Sequence, residues 1–292
     1  MEINSRPFMH LTFIQLLLLA LIQGAAELLP VSSSAHVIVA EKLMGLDPSS
    51  PEMTFLLVML HTGTMFAVIV YFWRGWQKSY FSSAAAFRSV CWRVVVATAA
   101  TLVLGLALKQ VIEKLFLRGG EIESLFSSLP LIAGALFGVG ILIIYAGLRG
   151  QHRPLNDEIS LRASAWIGAV QGLCLPFRGF SRSGATISTG LLLGIGKVKM
   201  EEFSFALAVV LTPAVIGKEL LRLLHSHAGA AVPAVNLQLL GPGLLGMACS
   251  FAAGLLALHL LASVLEKGQW KVFGYYCLLA AGFVAVLDYT SR

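Results

Sequence analysis

Apolar runs dominate the chain, and their lengths sort it into two kinds of segment. A helix that crosses a bilayer needs about 20 mainly apolar residues. Six stretches reach that length: 53–73, 89–108, 129–148, 203–224, 239–263 and 271–288. Four others are too short or interrupted: 11–29, broken by Gln23 and Glu27, then 35–45, 163–175 and 184–196. These come in pairs, separated by Pro30 to Ser34 in one case and by Pro176 to Ser183 in the other. A short apolar helix, a polar Pro/Ser/Gly break and a second short apolar helix predict a re-entrant hairpin. Polar backbone at membrane depth is tolerated only where it is buried in protein or lines a wet cavity, so the two breaks mark the expected site.

The pattern repeats. Gln23-Gly24, Leu29-Pro30 and Ser32-Ser33-Ser34 recur as Gln171-Gly172, Leu175-Pro176 and Ser181-Arg182-Ser183. Glu52, Phe55 and Thr62 recur as Glu202, Phe205 and Thr212, and all the matches fall at offsets of 146 to 150 residues. Shared order at a near-constant offset predicts a duplication, with halves of about 1–150 and 151–292 within a single membrane domain. A re-entrant hairpin returns to the side it came from. Three full spans follow the first hairpin, so the second enters from the opposite face. The expected fold is therefore all-α and polytopic: six transmembrane helices plus two re-entrant helix hairpins in an inverted-topology repeat, with the breaks facing each other near the midplane.

Composition narrows the class. The chain is 57% hydrophobic and 12% charged over 292 residues, with a mean hydropathy of +0.82. Soluble domains carry about 25% charged residues, so a soluble enzyme, a nucleic-acid binder and a disordered chain are excluded. The net charge of +6 has no cluster of five or more basic residues behind it, which argues against nucleic acid as a partner. Cys91, Cys174, Cys249 and Cys277 sit in apolar runs without metal or disulfide spacing and are read as packing residues. The apolar pattern continues past Gln23-Gly24-Ala25-Ala26-Glu27, which does not fit a cleaved signal.

Orientation follows from Lys and Arg. One side holds Arg6, Lys42, Lys109, Lys114, Arg118, Lys218, Arg222 and Arg292, eight in all. The other holds eleven: Arg74, Lys78, Arg88, Arg93, Arg149, Arg153, Arg162, Lys197, Lys199, Lys267 and Lys271. The positive-inside rule places the second side in the cytoplasm. The loop read at 74–93, with four basic residues and no acid, weighs most. The termini and the mouth of the first hairpin then face outward.

Intramembrane ionisable residues are functional-site hypotheses by default. Glu27 ends an apolar helix four residues after Gln23, on the same helical face. His36 follows Ser32, Ser33 and Ser34. With Ser34 as cap, it falls in the first turn of the second short helix, where N–H groups meet an anion. The second break reads Arg178-Gly179-Phe180-Ser181-Arg182-Ser183-Gly184-Ala185-Thr186. Glycines admit close backbone approach, Ser183 is a candidate cap, and Arg182 offers a planar fork for phosphate oxygens or for Glu27. One hairpin thus supplies a carboxylate, an imidazole and hydroxyls, and the other an anion cradle. Together they suit phosphoryl transfer on a lipid-tailed phosphate.

Other polar positions carry less. His61 is read as a packed or interhelical residue that could support the site, and His259 as structural. His152, His225 and His227 are loop positions, and Asp157-Glu158 and Glu201-Glu202 are solvated loop ends. Trp73, Trp76, Trp92, Trp166 and Trp270 fall near span ends as an interfacial belt. Gly134 to Gly147 suits close helix packing. No carboxylate pair has spacing that defines a metal site.

The stretch Gln23-Gly24-Ala25-Ala26-Glu27-Leu28-Leu29-Pro30-Val31-Ser32-Ser33-Ser34-Ala35-His36 resembles the first signature of bacterial undecaprenyl-diphosphate phosphatases, the bacitracin-resistance family. Gly179-Phe180-Ser181-Arg182-Ser183-Gly184-Ala185-Thr186 resembles their second. Length, hairpins and spans match over essentially the whole chain. The resemblance implies hydrolysis of undecaprenyl diphosphate to undecaprenyl phosphate and inorganic phosphate, which recycles the carrier for peptidoglycan. It implies residence in the cytoplasmic (inner) membrane with the site on the periplasmic side. It places Gln23 and Glu27 on the family's (Glu/Gln)-x-x-x-Glu positions, Ser33 and His36 on its catalytic serine and histidine, and Arg182, Ser181 and Thr186 on its diphosphate-binding element. The family's response to divalent cations makes Mg or Ca a candidate bridge between Glu27 and the diphosphate.

Three departures stand out. Gln23 replaces a frequent Glu and cannot act as an acid or base. Arg178 stands where Pro is frequent, and either adds a phosphate contact or alters the turn. Ser34-Ala35 replaces a common Thr-Gly pair.

The expected mechanism has Arg182 and the helix starts after Ser34 and Ser183 hold the diphosphate. Glu27 orients His36, and either Ser33 or His36 attacks or is activated. Polyprenyl diphosphates and the bilayer are the expected partners, and a homodimer is compatible with the sequence. The rival reading is a lipid-phosphate transporter or flippase with the same inverted repeats. An acid-phosphatase-like lipid phosphatase fits less well, because the second His expected downstream of Ser181-Arg182 is missing.

Overall fold

The computed structural model describes residues 11–47, 50–115, 117, 122–126, 128–149, 158–226 and 237–290. Arg6, Arg118, His152, Arg153, Asp157, His227 and Arg292 lie outside the described residues. The described part is all-helical, with ten α-helices and no strand among the described residues. They are α1 (Phe13–Leu28), α2 (Ser33–Leu43), α3 (Pro51–Ser79), α4 (Ala84–Leu115), α5 (Leu129–Arg149), α6 (Leu161–Gly172), α7 (Arg182–Leu192), α8 (Lys197–Ser226), α9 (Leu237–Glu266) and α10 (Lys271–Thr290).

Their lengths run 16, 11, 29, 32 and 21 residues, then 12, 11, 30, 30 and 20. Two short helices precede three long ones, twice. Among the described residues, five helical segments are long and apolar enough to cross a membrane: Met53–Ser79, Ala84–Leu115, Leu129–Arg149, Leu240–Glu266 and Lys271–Thr290. The sixth expected stretch, 203–224, lies on α8, and its last part falls outside the described side chains. The segment read as a loop at 74–93 is mostly helix, since α3 runs to Ser79 and α4 starts at Ala84.

Small residues set the closest packing. A Cβ on Gly168 of α6 would overlap the Ala97 carbonyl of α4. Between the same helices, Thr101 Oγ1 lies 2.8 Å from the Gly168 carbonyl and accepts from Gln171 Nε2 at 3.0 Å. Gly140 and Gly274 bring α5 against α10.

The aromatic belt is only partly interfacial. Trp73, Trp92 and Trp166 are exposed, but Trp76 and Trp270 are buried. Trp270 Nε1 donates to Ser188 Oγ at 2.9 Å and Trp76 Nε1 to the Glu202 carbonyl at 3.3 Å. Buried indoles need such acceptors. Glu201 and Glu202 are buried rather than solvated. Trp76 and Ser79 at the end of α3 lie over Glu202, whose carboxylate accepts from Ser79 Oγ at 3.1 Å. The four cysteines form no disulfide.

Candidate active site

The first break is dictated by Pro30. The residue before a proline is pushed out of the helical region, and Leu29 is extended at φ −74°, ψ 152°. Ser32 then turns the chain at φ 69°, the one non-glycine positive φ among the described residues. Such a conformation costs about 1–3 kcal/mol and persists only where surroundings fix it. Here its carbonyl accepts from His36 Nδ1 at 2.8 Å, and its hydroxyl lies 3.2 Å from Ser34 Oγ. The carbonyls freed by the break find partners across the molecule: Leu29 accepts from Ser183 Oγ at 3.2 Å and Pro30 from Cys277 Sγ at 3.4 Å.

The caps differ from the sequence reading. α2 starts at Ser33 after Ser32, not after Ser34, and no side chain caps it. No acceptor engages the N–H groups of Ser33, Ser34 or Ala35 among the described residues. α7 is capped by Ser181, not Ser183, with Ser181 Oγ accepting from Gly184 N at 3.2 Å. Ser183 instead spans to the first break. Gly179 provides the second turn at φ 102°, where a Cβ would come within 2.7 Å of the Ile132 carbonyl.

The two breaks meet at Glu27. Its Oε1 accepts from Arg182 Nη2 at 2.8 Å. Its Oε2 accepts from Ser33 Oγ at 2.5 Å and from Gln23 Nε2 at 3.3 Å. The pair is mostly enclosed, with Glu27 16% and Arg182 21% exposed at the side chain. Low solvent access strengthens such a contact and makes loss of one partner costly.

His36 does not pair with Glu27, contrary to expectation. A carbonyl only accepts, so Nδ1 carries the proton toward Ser32 O, and in the neutral ring Nε2 accepts from the Tyr276 hydroxyl at 2.8 Å. The two rings stack, with centroids 5.6 Å apart and planes at 12°. On α2, Ser33 turns to α1 while His36, three positions on, turns to Tyr276 of α10.

Other expected residues lie further out. Thr186 is fully buried behind the α7 start, 2.6 Å from Ser204 Oγ, and Gly184 is buried beside the Ser181 cap. Arg178 places its guanidinium 4.5 Å from the Phe126 ring centroid, outside the Glu27 cluster. Two further residues join the site: His61, for which the sequence allowed a supporting role, and Tyr276, which it did not single out. His61 Nε2 faces Glu27 Oε2 at 3.8 Å, its Nδ1 donating to Leu57 O at 2.8 Å. Tyr276 is the other, for which the adjacent Tyr275-Tyr276 pair inside an apolar span is the only cue. His259 is structural as read, bonded to Leu255 O and edge-on to Tyr71. Among the described residues, no group of three or more His, Cys, Asp or Glu could hold a metal.

The sequence matches known proteins over most of its length. Residues 16–283 match the family described as "Bacitracin resistance protein BacA". The chain is 60% identical over 277 residues to "Undecaprenyl-diphosphatase 2" of Acinetobacter baylyi, covering 92% of this chain and 96% of that protein. It is 34% identical over 286 residues to "Undecaprenyl-diphosphatase" of Desulfosudis oleivorans, covering 92% and 96%. It is 32% identical over 293 residues to the protein of the same name from Korarchaeum cryptofilum, covering 94% and 98%. Both breaks and the Glu27–Arg182 contact lie inside the matched region, and the chain belongs to the bacitracin resistance protein BacA family.

Proposed function

We propose that this chain is an integral membrane phosphatase that hydrolyses undecaprenyl diphosphate to undecaprenyl phosphate and inorganic phosphate. It thereby returns the lipid carrier to cell-wall synthesis and lends bacitracin resistance. The reading places six spans and two re-entrant hairpins in the inner membrane as an inverted repeat, with the site open to the periplasm. The two series of short, short, long, long, long helices support the repeat.

The observation that carries the mechanism is the shared carboxylate: Ser33 and Arg182 occupy opposite oxygens of Glu27. Arg182 and the uncapped start of α2 receive the diphosphate. Glu27 takes the Ser33 proton while Ser33 Oγ forms a bond to the terminal phosphorus. The anhydride P–O bond breaks and undecaprenyl phosphate leaves. Water then attacks the phosphoserine, Ser33 recovers its proton, and inorganic phosphate departs. His36, held by Ser32 and Tyr276, borders this path and positions the α2 start.

A Mg or Ca ion fits here only in the company of the diphosphate. Among the described residues Glu27 is the one carboxylate at the site, with the Gln23 and Ser33 oxygens beside it, and these ions take six or more oxygen ligands. Bound there, the ion would neutralise charge on the phosphate oxygens.

The test is phosphate release by the purified protein. The phosphatase reading expects inorganic phosphate from undecaprenyl diphosphate and loss of release in Ser33→Ala and Arg182→Ala. A transporter leaves the phosphate count of its ligand unchanged, so intact lipid after incubation would overturn the reading.

A further inference from the structure

A second cleft lies away from Glu27. It is built where the end of α3, the start of α4 and the starts of α6 and α8 come together. His61 and Ser79 are both on α3, and the 18 residue steps from one to the other span about 27 Å at 1.5 Å per residue. An inner cavity of about 180 Å³ is lined by Tyr80, Ser89, Arg93 and Lys199 among others. An outer one of about 310 Å³ shares Ser89 and Arg93 and continues to Trp92 and Leu161.

We propose that this cleft is a phosphate-binding site, taking the phosphate monoester headgroup of a membrane lipid. Arg93 and Lys199 come from different helices, are half-buried, and have no ion pair or hydrogen bond among the described residues. A cation withdrawn from water without a partner is unfavourable, and an oxyanion between the two would supply one. The Tyr80 hydroxyl is buried there without a hydrogen-bond partner. The start of α6, capped by Ser160, adds the positive end of a helix.

Acids also face the cleft. Glu202 is held by Ser79 Oγ at 3.1 Å. Glu158 stands at the outer cavity and has a partner of its own. Neither engages Arg93 or Lys199. The rim suits a lipid: Trp92, near the start of the apolar span Ala84–Leu115, is 58% exposed, and Leu161, at the start of α6, is 53% exposed.

The site does not depend on the phosphatase reading, because binding needs no turnover. Native mass spectrometry of the full-length protein in detergent, titrated with dioleoyl phosphatidic acid, reads it directly. Arg182→Ala removes headgroup binding at the first site. That variant is expected to keep one saturable phosphatidic acid, bound at least about tenfold more weakly once Arg93→Gln and Lys199→Gln are added. Arg93→Lys with Lys199→Arg should keep it. The Arg93→Gln, Lys199→Gln protein should still release phosphate from undecaprenyl diphosphate, which separates lost binding from lost folding. Inorganic phosphate competing at equal affinity would keep the phosphate site and assign it to the free ion. Unchanged occupancy after the double substitution, or equal binding of dioleoyl phosphatidylcholine, overturns the proposal.

Discussion

Arg182 Nη2 lies 2.8 Å from Glu27 Oε1, so two residues 155 positions apart join the two chain breaks through one ion pair. The other oxygen of that carboxylate holds the Ser33 hydroxyl. In the proposed mechanism, charge neutralisation and activation of the Ser33 nucleophile therefore converge on a single side chain.

Glu27→Gln keeps the shape of the side chain and removes its basicity. Loss of a general base typically costs about 10²–10⁴-fold in rate. Phosphate release should fall within that range while the protein still purifies as a folded species. A loss of less than tenfold would mean that Ser33 is not activated by this carboxylate.

Arg182→Ala removes the guanidinium that, in the proposed mechanism, faces developing phosphate charge. The expected loss in kcat/KM is about 10²–10³-fold. Arg182→Lys should recover part of it, because a point charge replaces a planar fork. Steady-state kinetics of the pair check both statements.

Tyr276→Phe keeps the ring stacked on His36 and removes only the hydroxyl at Nε2. A hydrogen bond of about 0.5–1.5 kcal/mol corresponds to a 2–10-fold drop in kcat. The same loss in a His36→Ala background would show that Tyr276 acts elsewhere.

Gly168→Ala places a methyl against the Ala97 carbonyl of the neighbouring helix. Overpacking of this kind costs about 1–3 kcal/mol. The thermal midpoint in detergent should fall, with kcat per folded molecule unchanged.

Much of this was legible in the order of residues. Proline, glycine and serine clusters interrupt apolar runs too short to span, so Pro30 and Pro176 mark both breaks. The pairing of Arg182 with Glu27 was readable as one of two uses of its guanidinium. The N-cap positions lie two residues before the expected caps Ser34 and Ser183, at Ser32 and Ser181, because all four serines can cap. Tertiary contacts decide among them: Ser183 is drawn to the Leu29 carbonyl and Ser34 to Ser32. The expected Glu27–His36 pairing fails because the partner of His36, Tyr276, lies 240 positions away and leaves no local pattern. Glu201 and Glu202 look solvated by composition, and only the end of α3 folding over Glu202 reveals otherwise.

The most direct test of the mechanism is a single turnover of undecaprenyl diphosphate labelled at its terminal phosphate, quenched with denaturant at neutral pH, where phosphoserine and phosphohistidine both survive, and mapped by peptide. The label should reside on Ser33, and Glu27→Gln should slow its appearance. Label on His36, or phosphate released at full rate by Ser33→Ala, would contradict the account.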